Sequence, residues 1–145
     1  MQRSRGFTLI EVMVVIVILG IIASMVVPNL MGNKEQADKQ KVVVDIQQLE
    51  NALDLYKMQN GFYPTTEQGL QALTTQPTSE PMPRQFPEGG YIKRLPKDPW
   101  NVEYQLASPG EMGKIDIFSS GPDRTAGTED DIGNWNLDGG EEPQN

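Results

Sequence analysis

The chain has 145 residues, no cysteine, no histidine and a formal net charge of −8. Without those two residue types there are no disulfides, no thiolate or imidazole metal sites, no cysteine nucleophile and no proton relay through histidine. Residues 42–145 hold 17 Asp plus Glu against 7 Lys plus Arg, a net of −10 that is no nucleic-acid surface, and no acidic pair has the aromatic flanks of a substrate pocket, so the chain reads as no enzyme.

In chain order, Arg3 and Arg5 lead into Gly6-Phe7-Thr8-Leu9-Ile10-Glu11. From Val12 to Val27 there is no charge, and with Phe7 to Ile10 the apolar run reaches about 20 residues, the length of a membrane-crossing helix. Glu11 stands inside that run, where an unpartnered carboxylate costs a few kcal/mol. One reading is a removable secretory signal with Arg3 and Arg5 as its basic end. Against it, Ile22-Ala23-Ser24-Met25 is a weak cleavage site, and an acid just inside the apolar core does not serve a signal. The other small-residue break is Gly6. A cut there keeps the apolar helix and creates an α-amino group at Phe7, a cation for Glu11. Within one helix the two residues are i and i+4; alternatively, the amine of a neighbouring chain meets the carboxylate and sets the register between subunits.

Gly6-Phe7-Thr8-Leu9-Ile10-Glu11 resembles the class III signal of type IV pilins and of the pseudopilins of type II secretion systems. The resemblance implies a dedicated peptidase that cuts between Gly6 and Phe7 on the cytoplasmic side and N-methylates Phe7, with Glu11 as the assembly glutamate. Charge asymmetry points the same way, since Arg3 and Arg5 precede the helix and Gly32 to Lys41 is mixed in sign, which sets the N-terminus in the cytoplasm.

Pro28 removes an N–H and should weaken the helix back toward Ser24, as a kink at the membrane surface. Beyond Asn33 the helical pattern resumes, with Val42, Ile46, Leu49, Leu53 and Tyr56 as one apolar stripe ending at Asn60-Gly61. A helix from Phe7 to Asn60 extends roughly 80 Å, more than a compact domain needs, so half is expected to project. Asp45, Glu50 and Asp54 read as a solvated face of it. Glu50 and Asp54 have a second reading, as partners of Lys93 or Arg94 of another subunit.

Thr65 with Gln68 reads as a capping box opening a short helix to Leu73, and residues 74–87, rich in Pro, Ser and Thr, as a surface loop. Leu95 to Trp100 is extended with turn punctuation. Val102 to Leu106 and Lys114 to Phe118 alternate as strands joined through Ser108-Pro109-Gly110. The fold class is therefore α+β, an antiparallel sheet with one face on the helix stripe.

The segment from Ser119 to Trp135 concentrates charge at Asp123, Glu129, Asp130 and Asp131. Chemistry alone favours a solvated acidic loop; a hard cation that takes oxygen ligands, such as calcium, is the alternative, although the spacing is not an EF-hand. These residues, with Tyr63 to Leu73 and Leu95 to Trp100, resemble the major-pseudopilin family of type II secretion. That resemblance implies calcium held by the side chains of Asp123, Asp130 and Asp131 and by the backbone carbonyls of Ser120 and Thr128. It also implies a pilin-like fold and a domain order of leader 1–6, transmembrane and filament-core helix 7–31 and periplasmic domain 32–137, while the tail 138–145 matches no motif and reads as disordered. The implied role is a non-enzymatic subunit, anchored in the bacterial inner membrane and then built into a periplasmic filament. Its implied partners are further copies of itself, minor pseudopilins, the prepilin peptidase, the inner-membrane assembly platform and the secretin. The alternative is a type IV pilin of a surface fibre, but those commonly close their C-terminal region with a disulfide that this chain cannot make.

Overall fold

The computed structural model describes residues 6–138. The chain divides into two compact units between Asp38 and Lys39. Through both runs α1, Leu9–Asn60, 52 residues long. In the first unit the large apolar side chains up to Val26 are all exposed. That stretch is long and apolar enough to cross a membrane, with a mean hydropathy of 2.9.

The second unit is built on the other end of α1. Val42, Ile46, Leu49, Leu53 and Tyr56 are all fully buried, so the stripe seen in the sequence is the core face of the helix. The helix stops where the sequence says it should, with Gly61 at φ +88 donating its N–H to the Lys57 carbonyl at 2.6 Å. Against the stripe pack Leu70 and Leu73, from a 3-10 turn over Leu70–Leu73, and Tyr104, Leu106, Ile115 and Ile117. Each such aliphatic side chain contributes about 1.5–3 kcal/mol on burial.

The sheet has three antiparallel strands in the order β1 (Gln105–Ala107), β2 (Asp116–Ser119) and β3 (Ile132–Gly133). Leu106 pairs with Ile117 and Phe118 with Gly133. Outside the sheet, an isolated bridge pairs Lys97 of the segment Leu95 to Trp100 with Glu103.

Four expectations are corrected. The helix starts at Leu9, because Thr8 caps it and Phe7 lies outside. The helix is continuous through Pro28, as a helix kinked at proline also is. The short helix after Thr65 is a turn closing into the 3-10 segment. The strands are shifted and shorter than the alternating runs, and β2 does not alternate: Asp116 and Ser119 are buried beside Ile117, because both carry internal hydrogen bonds. Finally, Asp45 is buried, where it accepts hydrogen bonds from the Tyr104 hydroxyl at 2.8 Å and from the Lys41 ammonium, so it belongs to the core boundary and not to a solvated face.

Candidate functional site

The candidate residues anticipated from the sequence fall chiefly in two parts of the molecule. At the head of α1, the Glu11 N–H donates to the Thr8 hydroxyl at 3.3 Å and to the Thr8 carbonyl at 3.1 Å, and the Val12 N–H reaches the same carbonyl at 3.3 Å. Thr8 is the N-cap and Glu11 the third helical residue, so Glu11 lies in the first turn, where the helix dipole favours an anion. The role of Thr8 was legible but missed: Thr8 and Glu11 have the spacing of a capping box, the same pattern read at Thr65 and Gln68. Phe7 is 82% exposed. With Phe7 outside the helix, the i and i+4 pairing inside one chain lacks its helical geometry. Gly6 is open as well, since an added Cβ would meet nothing within 4 Å. The fold makes no demand for glycine there.

The second part is the loop between β2 and β3. It is held by its own hydrogen bonds. Asp123 Oδ1 accepts from the Thr125 N–H at 2.8 Å, Asp130 Oδ2 from the Asp123 N–H at 3.2 Å, and Asp130 Oδ1 from the Thr128 hydroxyl at 2.7 Å. That hydroxyl, chiefly, holds the Asp130 carboxyl below its ordinary range, against an opposing desolvation and with help from the Asp123 N–H. Asp131 Oδ2 accepts from the Gly127 N–H at 2.7 Å, and the Thr128 carbonyl from the Asp131 N–H at 3.3 Å. Asp131 Oδ1 is buried and has no hydrogen-bond partner. A buried acceptor left so costs about 1–3 kcal/mol, and a cation would relieve it. Ser120 is buried at the base of the loop. Among the described residues no three acidic side chains converge as a ready-made cation cage. The donor set is nonetheless all oxygen, the set that calcium takes, so the residues present fit a hard cation in kind while the carboxylates are not gathered on one point.

The remaining anticipated residues are separate. Glu50 Oε1 accepts from Asn134 Nδ2 at 3.1 Å, and Asp54 Oδ1 from the Tyr63 hydroxyl at 2.7 Å, so both have partners within the chain. Lys93 and Arg94 are exposed. Of the tail 138–145, residues 139–145 lie outside the described residues, as does the leader up to Arg5.

The comparisons agree with the motif and with the fold. A family model described as type II secretion system protein G matches residues 29–135, and a model of the prokaryotic N-terminal methylation motif matches residues 1–27. The chain is similar to type II secretion system core protein G of Aeromonas hydrophila, at 70% identity over 136 residues that cover 94% of this chain and 95% of that one. It is similar to the core protein G of Escherichia coli K12 at 62% identity over 136 residues, 94% of each. Its fold resembles the crystal structure of the major pseudopilin from the type 2 secretion system of enterohaemorrhagic Escherichia coli, with a TM-score of 0.70, 60% identity, and 76% of this chain and 96% of that one covered.

Proposed function

This chain belongs to the type II secretion system protein G family, and from that premise we propose that it is the major subunit of a secretion pseudopilus, made as a precursor, cut between Gly6 and Phe7, and assembled through its apolar helix. The observation that carries the reading is the pairing of a protein G domain with the methylation motif at the head of a helix of membrane-crossing composition. The surface-fibre pilin alternative gives way, since the relatives named are core proteins of type II secretion.

Before cleavage Phe7 has only an amide nitrogen, and Glu11 has no α-amine to pair with. Cleavage creates the cation next to the first turn of α1. Since Phe7 lies outside the helix, the reading that fits best gives the Glu11 carboxylate to the methylated amine of a neighbouring copy, which fixes the step between subunits. The N-terminus starts in the cytoplasm, the acidic domain faces the periplasm, and the partners are further copies, minor pseudopilins, the peptidase, the assembly platform and the secretin. An assembly subunit of this kind needs no catalytic residue.

Asp123, Asp130 and Asp131, with the carbonyls of Ser120 and Thr128, would hold calcium, which would supply positive charge to a loop otherwise kept together by short-range hydrogen bonds. The orphaned Asp131 Oδ1 supports this reading. The deciding experiment is mass spectrometry of the protein from cells with the secretion machinery. A mature chain beginning at N-methyl-Phe7 is expected; a mature chain that keeps residues 1–6 overturns the assembly reading.

A further inference from the structure

A buried hydrogen-bond chain enters the acidic loop through the end of β2, and its first member is a carboxylate outside the loop. Asp98 is 4% exposed. Burying a carboxylate is costly unless its oxygens are satisfied. Oδ1 is explained locally, since it accepts from the N–H groups of Trp100 at 3.1 Å and Val102 at 2.7 Å and closes the turn in which Asn101 sits at φ +66. Oδ2 faces away from that turn. It accepts from the Ser119 hydroxyl at 2.6 Å, and the same hydroxyl accepts from the Gly121 N–H at 3.1 Å. Gly121, at φ +66, is pressed so closely on the far limb of the loop that an added Cβ would stand 2.3 Å from the Asp130 carbonyl. Asp130 in turn receives the Asp123 N–H. The backbone at Ser120 and Gly121 is thus fixed from below by Asp98 and Ser119, and from the side by Gln105, whose Nε2 donates to the Ser120 hydroxyl at 3.0 Å.

We propose that Asp98 and Ser119 are positioning residues for cation binding by the acidic loop, Asp98 orienting the Ser119 hydroxyl so that it holds the Gly121 N–H and presents the Ser120 carbonyl and the Asp123–Asp130 pair to the metal. The inference rests on the calcium reading above. Asp98 reaches the loop through the Ser119 hydroxyl. A purely structural Asp98 needs only its turn, and the Oδ2 bond to Ser119 is the part that turn closure leaves unexplained.

The test uses the full chain in detergent, titrated with calcium chloride by calorimetry, with melting temperatures in calcium and in chelator. Ser119→Ala changes no charge and leaves the Oδ1 turn intact. It should weaken calcium binding by about 10-fold or more, the usual cost of losing an outer-shell contact, and shrink the rise in melting temperature that calcium produces. Asp98→Asn keeps an oxygen for the turn but puts an NH2 donor where Oδ2 accepted, so the Ser119 hydroxyl loses its acceptor and calcium binding should weaken in the same direction as in Ser119→Ala. Hydrogen exchange provides a reading that needs no variant: the Gly121 amide should be protected in chelator and more so in calcium. An unchanged calcium affinity in Ser119→Ala, equal losses of melting temperature with and without calcium, or a freely exchanging Gly121 amide overturns the inference while leaving the metal reading intact. If the unmutated protein binds no calcium and behaves like Asp131→Ala, both fall together.

Discussion

At the scale of single residues, the buried polar groups are the ones whose behaviour can be forecast. Tyr56 is fully buried, and its hydroxyl has no hydrogen-bond partner. Burial, then the nearby Tyr91, raises its pKa. Since an unsatisfied buried hydroxyl costs about 1–3 kcal/mol, Tyr56→Phe should leave thermal stability unchanged or raise it. A fall of several degrees in melting temperature would show a partner for that oxygen. Tyr63 behaves differently. Its hydrogen bond to Asp54 is the main reason its phenol is pushed up to about 12 from the ordinary 10.0. A group whose folded pKa is raised stabilises fully below its unfolded pKa, and that contribution disappears as pH rises through the folded one. The Tyr63 contribution should therefore be complete below pH 10.0 and lost toward about 12. Denaturant unfolding across that window should be less pH-dependent in Tyr63→Phe. Neither behaviour follows from residue type, because the sequence does not say which tyrosine meets which partner.

At the scale of elements, turns are held by side chains that reach well beyond them. Gln68 completes the capping box anticipated from the sequence, with its Oε1 accepting from the Thr65 N–H at 3.1 Å and its own N–H donating to the Thr65 hydroxyl at 3.1 Å. Its Nε2 then donates to the carbonyls of Ser79 at 2.9 Å and Pro81 at 3.1 Å, which ties down the proline-rich loop. Gln68→Ala should cost about 1–2 kcal/mol, one cap plus loop contacts, and limited proteolysis should newly cut between residues 74 and 87. At the other edge, β3 lies under Trp135, which packs so closely that a Cβ at Gly133 would fall 2.2 Å from its ring. Gly133→Ala must therefore displace Trp135, and the shift should register as a red-shifted tryptophan emission with lowered stability. Strand β3 had no alternating pattern to announce it. Two residues are too few for a period, and it forms because Phe118 and Ser119 offer a free ladder edge.

At the scale of the whole molecule, the residues proposed for processing and assembly can be tested apart from the fold. An added Cβ at Gly6 meets nothing, so Gly6→Leu should leave the domain's melting temperature unchanged while the protein accumulates at precursor length in membranes. Glu11→Ala should be processed normally yet form few filaments in cells carrying the assembly machinery. Filaments equal in number and length to those of the unmutated protein would remove the pairing role of Glu11. The sequence by itself determined the processing motif, the apolar run, the core stripe on α1 and its stop at Asn60-Gly61. Each is a local pattern, written in residues that are neighbours in the chain or one helical turn apart. Tertiary structure alone decided that Asp45 and Asp98 are buried, because a carboxylate goes inside only where donors await it, and theirs come from far along the chain: the Tyr104 hydroxyl and the Ser119 hydroxyl. It also decided which loop oxygens are taken up by the loop's own backbone and by Thr128 and that Asp131 Oδ1 is left over, since the path of a loop sets its hydrogen bonds and no periodicity in the sequence records that path.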